Sequence, residues 1–244
     1  NINIDDGLSN GRVLTITQDQ YGYVWLGTSK GINRFDGYVI KKYLQFQHNE
    51  NFNTIPQVNE LVLDKNNTLW AATSSGLLYF DFEDDIFKKY VDANVNTDMK
   101  ALSVKTDDQN NLWVATTGSL IKIEIDSKES KEFILKDKEG NVLDNILECF
   151  VQRDGNVWIG FSSDGCGLFK TKVESFTHYP YNPSNPNSVG DKRVHCFYEY
   201  SSGEIWIGQN DNGISVFNPE TESFTTYFPD SLNLTSGRIK GILK

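Results

Sequence analysis

Three aspartates recur at a fixed distance from a tryptophan, and they are the first candidates for chemistry in this chain. Asp19, Asp64 and Asp107 each stand six residues before a tryptophan, in the pattern Asp-x-x-Gly/Asn-x-x-Trp. Glycoside hydrolysis needs two carboxylates that flank one bond. A carboxylate that recurs is better suited to accepting backbone N–H bonds in a turn, because scaffold chemistry repeats whereas an active site is usually unique. We therefore predict turn caps.

The residues of nucleophilic and metal chemistry are few and scattered. The histidines are His48, His178 and His195, and the cysteines are Cys149, Cys166 and Cys196. An odd number of cysteines without a CxxC pair predicts small buried side chains. Cys196 adjoins His195, but neighbouring residues of a strand point to opposite faces. No zinc-protease, hydrolase or phosphate-loop motif occurs, so we predict no catalytic residue, no metal and no cofactor.

A third set of side chains is polar or basic in a chain whose formal net charge is −10. Its members stand thirteen residues before successive tryptophans, with one equivalent near the C-terminus: Arg12, Gln57, Lys100, Asn145, Arg193 and Arg238. They either hydrogen-bond to neighbouring loops or form the rim of a ligand site. Nucleic acid is not an expected partner, because an acidic surface repels phosphates. Membrane contact is not expected either, because no apolar run approaches the ~20 residues of a span.

The aspartates and the polar set share one frame, which five tryptophans define. Trp25, Trp70, Trp113, Trp158 and Trp206 are separated by 45, 43, 45 and 48 residues. Three residues before each stands Gly22, Asn67, Asn110, Gly155 or Gly203, and two residues after each stands Gly27, Ala72, Ala115, Gly160 or Gly208. Glycine and asparagine tolerate the positive φ of tight hairpin turns. The later small residue shares the face of the indole and leaves room for a neighbouring element.

Each repeat predicts four short strands. In the first repeat the first three strands are Val13–Gln18, residues 23–28 and Ile32–Phe35. A fourth strand follows and ends on an aromatic residue. A second turn is predicted at Gly31, Gly76, Gly118-Ser119, Gly167 and Gly213. Four strands in about 45 residues, repeated, are typical of the blades of a β-propeller. The sequence therefore predicts an all-β fold of four-stranded antiparallel blades with almost no helix.

The predicted blades span residues 7–50, 51–94, 95–139, 140–187 and 188–231, and residues 232–244 begin a sixth. Ser236-Gly237-Arg238-Ile239 repeats Asn10-Gly11-Arg12-Val13, so residues 239–243 are predicted as its first strand. First strands are apolar on both faces, as at Leu14 and Ile16, which predicts blades on both sides. We expect one partial domain of a larger ring, in which the polar set surrounds one mouth of the channel. Its open ends would either self-associate, as in a homodimer, or continue in a longer chain.

The first repeat resembles the two-component regulator propeller repeats of bacterial hybrid two-component systems of the Bacteroides type. The segments that carry the resemblance are Asp6-Gly7-Leu8-Ser9-Asn10, Val24-Trp25-Leu26-Gly27-Thr28 and Gly31-Ile32-Asn33-Arg34-Phe35-Asp36-Gly37-Tyr38, together with the later loop Asn182-Pro183-Ser184-Asn185-Pro186-Asn187-Ser188. The aspartate pattern is also similar to the Asp-box of sialidase-type propellers. Repeats three and five depart from the family pattern at Gly118-Ser119 and Gln209.

The resemblance implies a seven-bladed ring in the periplasmic sensor region of an inner-membrane protein. It also implies further propeller and immunoglobulin-like domains, with a histidine kinase elsewhere in the full-length protein, and an oligosaccharide as the signal. The expected function is ligand sensing without catalysis by this segment. A protein-interaction scaffold and a carbohydrate-active enzyme are the alternatives. Four loop aromatics could contact sugars or pack between blades: Phe46, Phe52, Tyr179 and Tyr181.

Overall fold

The computed structural model describes residues 2–242, and almost all of their regular structure is β-strand. The helical structure in this range is one 3-10 turn at Pro229–Leu232. The chain divides into two compact units, Asn1–Phe133 and Ile134–Lys244, which are described separately.

Unit 1 contains three blades, each an antiparallel meander in chain order. Blade 1 consists of β1 (Val13–Gln18), β2 (Val24–Thr28), β3 (Ile32–Phe35) and β4 (Ile40–Tyr43), and a hairpin of β5 (Gln45–His48) and β6 (Asn51–Thr54) follows it. Blade 2 consists of β7 (Val58–Leu63), β8 (Leu69–Thr73), β9 (Gly76–Asp81) and β10 (Ile86–Lys89). Blade 3 consists of β11 (Ala101–Thr106), β12 (Asn111–Thr116), β13 (Leu120–Glu124) and β14 (Glu129–Phe133).

Unit 2 contains two further blades of the same kind. Blade 4 consists of β15 (Ile146–Val151), β16 (Val157–Phe161), β17 (Cys166–Lys170) and β18 (Ser175–Tyr179). Blade 5 consists of β19 (Val194–Glu199), β20 (Ile205–Gln209), β21 (Ile214–Asn218) and β22 (Ser223–Tyr227). Every repeated tryptophan lies in the second strand of a separate sheet, so the predicted fold class and the repeat frame are confirmed.

The turn that precedes each tryptophan has the predicted backbone. The residue three positions before the indole has positive φ in all five blades: 86° at Gly22, 62° at Asn67, 63° at Asn110, 87° at Gly155 and 85° at Gly203. In the second turn of blade 4 the prediction was wrong. Gly165 has the positive φ of 73°, whereas Gly167 lies within β17, where a Cβ atom would meet the ring of Phe176 at 2.2 Å.

The small residue after each tryptophan admits the next blade. A Cβ atom at Gly27 would lie 2.7 Å from Val58, and one at Gly160 would lie 2.9 Å from Val194. A Cβ atom at Gly208 would lie 2.9 Å from Ile239, as expected for the first residue of a sixth repeat. Residues 239–242 have no strand ladder of their own, and the predicted end of that strand at Leu243 lies outside the described residues.

A six-stranded sheet in unit 1 departs from the predicted pattern. Strand β5 pairs in parallel with β10 and places Phe46 opposite Phe87, so the hairpin covers the outer edge of blade 2. The predicted boundary at residues 50/51 cuts through this hairpin. Phe46 is buried in the core, whereas Phe52 is exposed. Covering an outer edge in this way removes a template for strand association.

The prediction that the first strands are buried on both faces holds in part. Val58, Leu61 and Val104 are buried in blades 2 and 3. The expectation is wrong for Ile16 of β1, which is 65% exposed. The physical reason is that within unit 1 this strand packs against β7 on one side only.

Candidate ligand-binding surfaces

Five of the six predicted rim residues occupy one repeated position in their blades, whereas Arg238 precedes residues that form no strand ladder. Each backbone carbonyl accepts a hydrogen bond from the N–H of a residue in the turn after the second strand, at 3.2 Å (Ser29 to Arg12), 3.1 Å (Ser74 to Gln57), 3.2 Å (Thr117 to Lys100), 2.9 Å (Ser162 to Asn145) and 3.2 Å (Asn210 to Arg193). A shift of strand register follows each of them. Such bulges redirect side chains and are frequent beside functional sites.

Two rim side chains are held by neighbouring polar groups. The Nε2 of Gln57 donates to the Oδ1 of Asn59 at 2.7 Å. The Nδ2 of Asn145 donates to Ser163 at 2.7 Å and to Asp164 at 2.8 Å. At these two positions the side chains hydrogen-bond to neighbouring residues, which is the first of the two interpretations of this set. The buried Oδ1 of Asn145 nevertheless has no partner among residues 2–242.

The four cationic rim residues are differently placed. Arg12, Arg193 and Arg238 are exposed and Lys100 is half-buried. Within the described part of the chain none of these four charged groups forms an ion pair. They leave hydrogen-bond donors free at the same end of their sheets.

The turns beside the rim are fixed by threonine. The hydroxyls of Thr28, Thr73 and Thr116 donate to the carbonyls of Gly31, Gly76 and Ser119 at 3.0, 2.7 and 3.0 Å. The two departures from the family pattern preserve this end of the blade. The carbonyl of Ser119 still accepts the hydrogen bond from Thr116. Gln209 stands at the threonine position of blade 5, and its side chain donates to Ser215 at 2.7 Å.

The recurring aspartates lie at the opposite end of the sheets and act as turn caps, as predicted. Asp19 accepts the indole N–H of Trp25 at 2.7 Å and the backbone N–H groups of Tyr21 and Tyr23 at 3.0 Å. Asp64 and Asp107 repeat this pattern, with indole bonds of 2.9 and 3.0 Å. Burial raises the pKa of Asp107, but its hydrogen bonds outweigh that effect and leave the pKa below its ordinary value. A carboxylate engaged in this way is a poor general base.

Two of the three thiols, those of Cys166 and Cys196, are not activated. Burial raises the pKa of Cys196 to about 11 and also raises that of Cys166, so the thiolate is disfavoured in both. His195 contacts the Oδ1 of Asn210 at 3.1 Å. Residues 2–242 contain no group of three side chains that could hold a metal ion.

A groove of about 650 Å³, which the sequence analysis did not predict, lies between blades 2 and 3. Its apolar wall contains Trp70, Tyr79, Tyr90 and Ile123. Charged side chains reach it from both blades, and the hairpin contributes two further residues: Lys89, Asp92, Glu124 and Lys128, with His48 and Asn49. Its lining includes Thr68, which precedes β8, and Val91 and Asp92, which follow β10.

The groove exists because small side chains replace a pair of phenylalanines. We call the contact of one blade's tryptophan with the third and fourth strands of the next blade a seam. In seam 1–2, Phe80 and Phe87 lie 4.8 and 6.1 Å from Trp25. Strand register places Ile123 opposite Ser130 in blade 3, as Phe80 is opposite Phe87 in blade 2. Seam 2–3 therefore lacks both rings.

Seam 4–5 in unit 2 follows the closed pattern. Phe217 lies 4.9 Å from Trp158, and its cross-strand partner Phe224 lies 5.4 Å from Tyr179. Tyr179 stacks on Trp158 at 5.8 Å, so this aromatic residue packs between blades. Comparing residues at these repeat positions in the sequence would have revealed the groove.

Comparison with known proteins decides the family of the first repeat. Residues 7–30, which include the first turn and Trp25, match the family model of the two component regulator propeller. The first repeat is therefore similar to a two-component regulator propeller repeat. A segment of 38 residues is 50% identical to histidine kinase P4 of Formosa agariphila and covers 16% of this chain and 3% of that protein.

Two solved structures extend the likeness to nearly the whole chain. The extracellular domain of the hybrid two-component system BT3049 of B. thetaiotaomicron is 25% identical and superposes with a TM-score of 0.74 over 93% of this chain. The extracellular domain of BT4673 from the same organism, at 18% identity and a TM-score of 0.73, shares the fold. This chain spans 32% and 33% of those two solved chains. No helix within residues 2–242 is long and apolar enough to cross a bilayer.

Proposed function

We propose that this chain is part of the periplasmic ligand-sensing region of a hybrid two-component sensor. The observation that carries the proposal is the superposition on the extracellular domain of BT3049 over 93% of the chain. In the full-length protein, further propeller and immunoglobulin-like domains and a histidine kinase would accompany this segment. The chain itself would bind the signal and would not catalyse a reaction.

The proposed ligand is an oligosaccharide, bound at the rim. The free guanidinium groups of Arg12 and Arg193 and the ammonium group of Lys100 can donate to hydroxyl or carboxylate oxygens. Within unit 2, the unpartnered Oδ1 of Asn145 is an acceptor at the same repeat position of its blade as Arg193. The threonine-fixed turns beside Arg12 and Lys100 would hold these groups in place, which limits the entropy lost on binding.

Sensing is favoured over glycan cleavage because the recurring carboxylates are already occupied. Asp19, Asp64 and Asp107 each accept an indole N–H and backbone N–H groups within their own turn. Cleavage by a pair of carboxylates would need one kept protonated near neutral pH. The hydrogen bonds of Asp107 act in the opposite direction.

Calorimetric titration of the protein with an oligosaccharide library tests the rim. Arg193→Ala is expected to weaken binding of the recognised oligosaccharide by about tenfold, since a lost charge-assisted hydrogen bond costs about 1.5 kcal/mol. Its Tm should stay close to that of the wild type because the side chain is exposed. Lys172→Ala, which removes an exposed cation of blade 4, is the control. Equal affinity of Arg193→Ala and wild type would exclude Arg193 from the site.

A further inference from the structure

The groove between blades 2 and 3 contains a place that other seams fill with aromatic rings. Phe80 packs 4.8 Å from Trp25, and Phe217 packs 4.9 Å from Trp158. Ile123 occupies the same repeat position in blade 3, and Trp70, which is 7% exposed, and the half-buried Tyr90 line the groove. Tyr90 keeps its contact with Trp70 at 5.6 Å. The walls are therefore arranged for a flat ring with an apolar face.

The turn residue beside the groove has the opposite charge to the turn residue at the same position of seam 1–2. There the turn residue Asp85, with φ of 54°, accepts a hydrogen bond from Tyr43 at 2.8 Å and pairs with Arg34 and Lys41. Lys128 occupies the same turn position in blade 3, with φ of 59°, and lines the groove. The hydroxyl of Tyr90 instead donates to Asp92 at 3.1 Å.

Lys128 is the charged lining residue that is free to meet a ligand. Lys89 pairs with Asp98, and Glu124 pairs with Lys122 at 2.5 Å. Asp92 accepts hydrogen bonds from Tyr90 and Ser130. Within residues 2–242, Lys128 forms no ion pair.

We propose that this groove binds a small ligand that presents a flat ring face and a carboxylate. The ring packs on Trp70 and Tyr90, and the carboxylate pairs with Lys128. The volume of about 650 Å³ lies within the range of small-molecule sites. Two sources share this chemistry, an aromatic acid and a hexuronic acid. The site is separate from the proposed oligosaccharide rim and does not depend on the sensor function.

Ligand-observed NMR of the protein with phenylacetate and with galacturonate tests the site, with phenylacetamide and galactose as neutral counterparts. At least one acid is expected to bind more tightly than its neutral counterpart, and the acid that binds identifies the source. Lys128→Glu should weaken that acid by about five- to tenfold. Glutamate fits this turn position, because Glu174 and Glu222 occupy it with φ of 50° and 49° in blades 4 and 5.

Two further variants separate the site from general charge effects. Lys172→Glu makes the same charge change on the exposed surface of blade 4 and should leave the affinity unchanged. The double variant Ile123→Phe with Ser130→Phe copies the closed seams and should abolish binding while the fold persists. The proposal is overturned if neither acid binds the wild type, if Lys128→Glu binds the acid as well as the wild type, or if the folded double variant still binds it.

Discussion

Seam 1–2 and seam 2–3 are built on the same frame and end in different surfaces. Both place a tryptophan in the second strand, capped by an aspartate six residues earlier. In seam 1–2, the fully buried Phe87 and the almost fully buried Phe80 complete the core around Trp25. In seam 2–3, Ile123 and Ser130 leave a groove of about 650 Å³. The frame thus determines the blade, while the residues that fill the seam determine whether a groove remains.

The largest expected effect comes from opening the closed seam. Phe87 is fully buried against Trp25, Tyr43 and Phe80. Phe87→Ser, which copies Ser130, should lower the free energy of unfolding by about 3–5 kcal/mol, because it removes buried apolar area and leaves a cavity. Urea denaturation measures this loss.

Phe82→Ser is the matched control for that substitution, because Phe82 follows β9 in the same blade but is 41% exposed. Its cost should be about 1 kcal/mol or less. If the two variants lost equal stability, the two phenylalanines of seam 1–2 would not be the residues that close it.

A smaller effect distinguishes the seams by pH. Burial raises the pKa of Asp85, but hydrogen bonds from Lys41 and Tyr43 outweigh it and leave the pKa below its ordinary value of 3.8. The stabilisation from this carboxylate is therefore complete above the unfolded pKa and is lost as the pH falls through the lowered folded pKa. The stability difference between wild type and Asp85→Asn should shrink below about pH 4.

Lys128→Gln at the same turn position of seam 2–3 is the comparison for this effect. It removes no carboxylate, so its stability difference from the wild type should stay constant in the same acid range. Unfolding curves recorded from pH 6 to pH 2.5 provide both values. A constant difference for Asp85→Asn would show that its ion pairs contribute no pH-dependent stability.

The features that recur were predictable from the sequence, and those that occur once were not. The five tryptophans and their turn residues predicted the second strands because the same physical requirement is repeated in every blade. The hairpin at Gln45–His48 and Asn51–Thr54 has no counterpart in other repeats, so its pairing with blade 2 carried no repeated signal. In blade 4, Gly165 and Gly167 flank Cys166, and only the backbone φ shows which of them forms the turn.

The two candidate sites also differ in whether their residues recur in every repeat. The rim positions of Arg12 and Arg193 followed from the repeat, and in their blades they take equivalent backbone bonds. Their predicted role in ligand binding stays a prediction. The groove arises where Ile123 and Ser130 break the aromatic pattern, and a search for matches alone does not detect such a break.

The proposed function is that this chain binds a glycan-derived signal without altering it. Incubation of the protein with an oligosaccharide pool, followed by mass spectrometry of the bound and unbound fractions, tests it most directly. We predict that one class of oligosaccharide is retained with its mass unchanged and is retained more weakly by Arg193→Ala. Retention of no oligosaccharide, or the release of shortened or unsaturated products, would contradict the account.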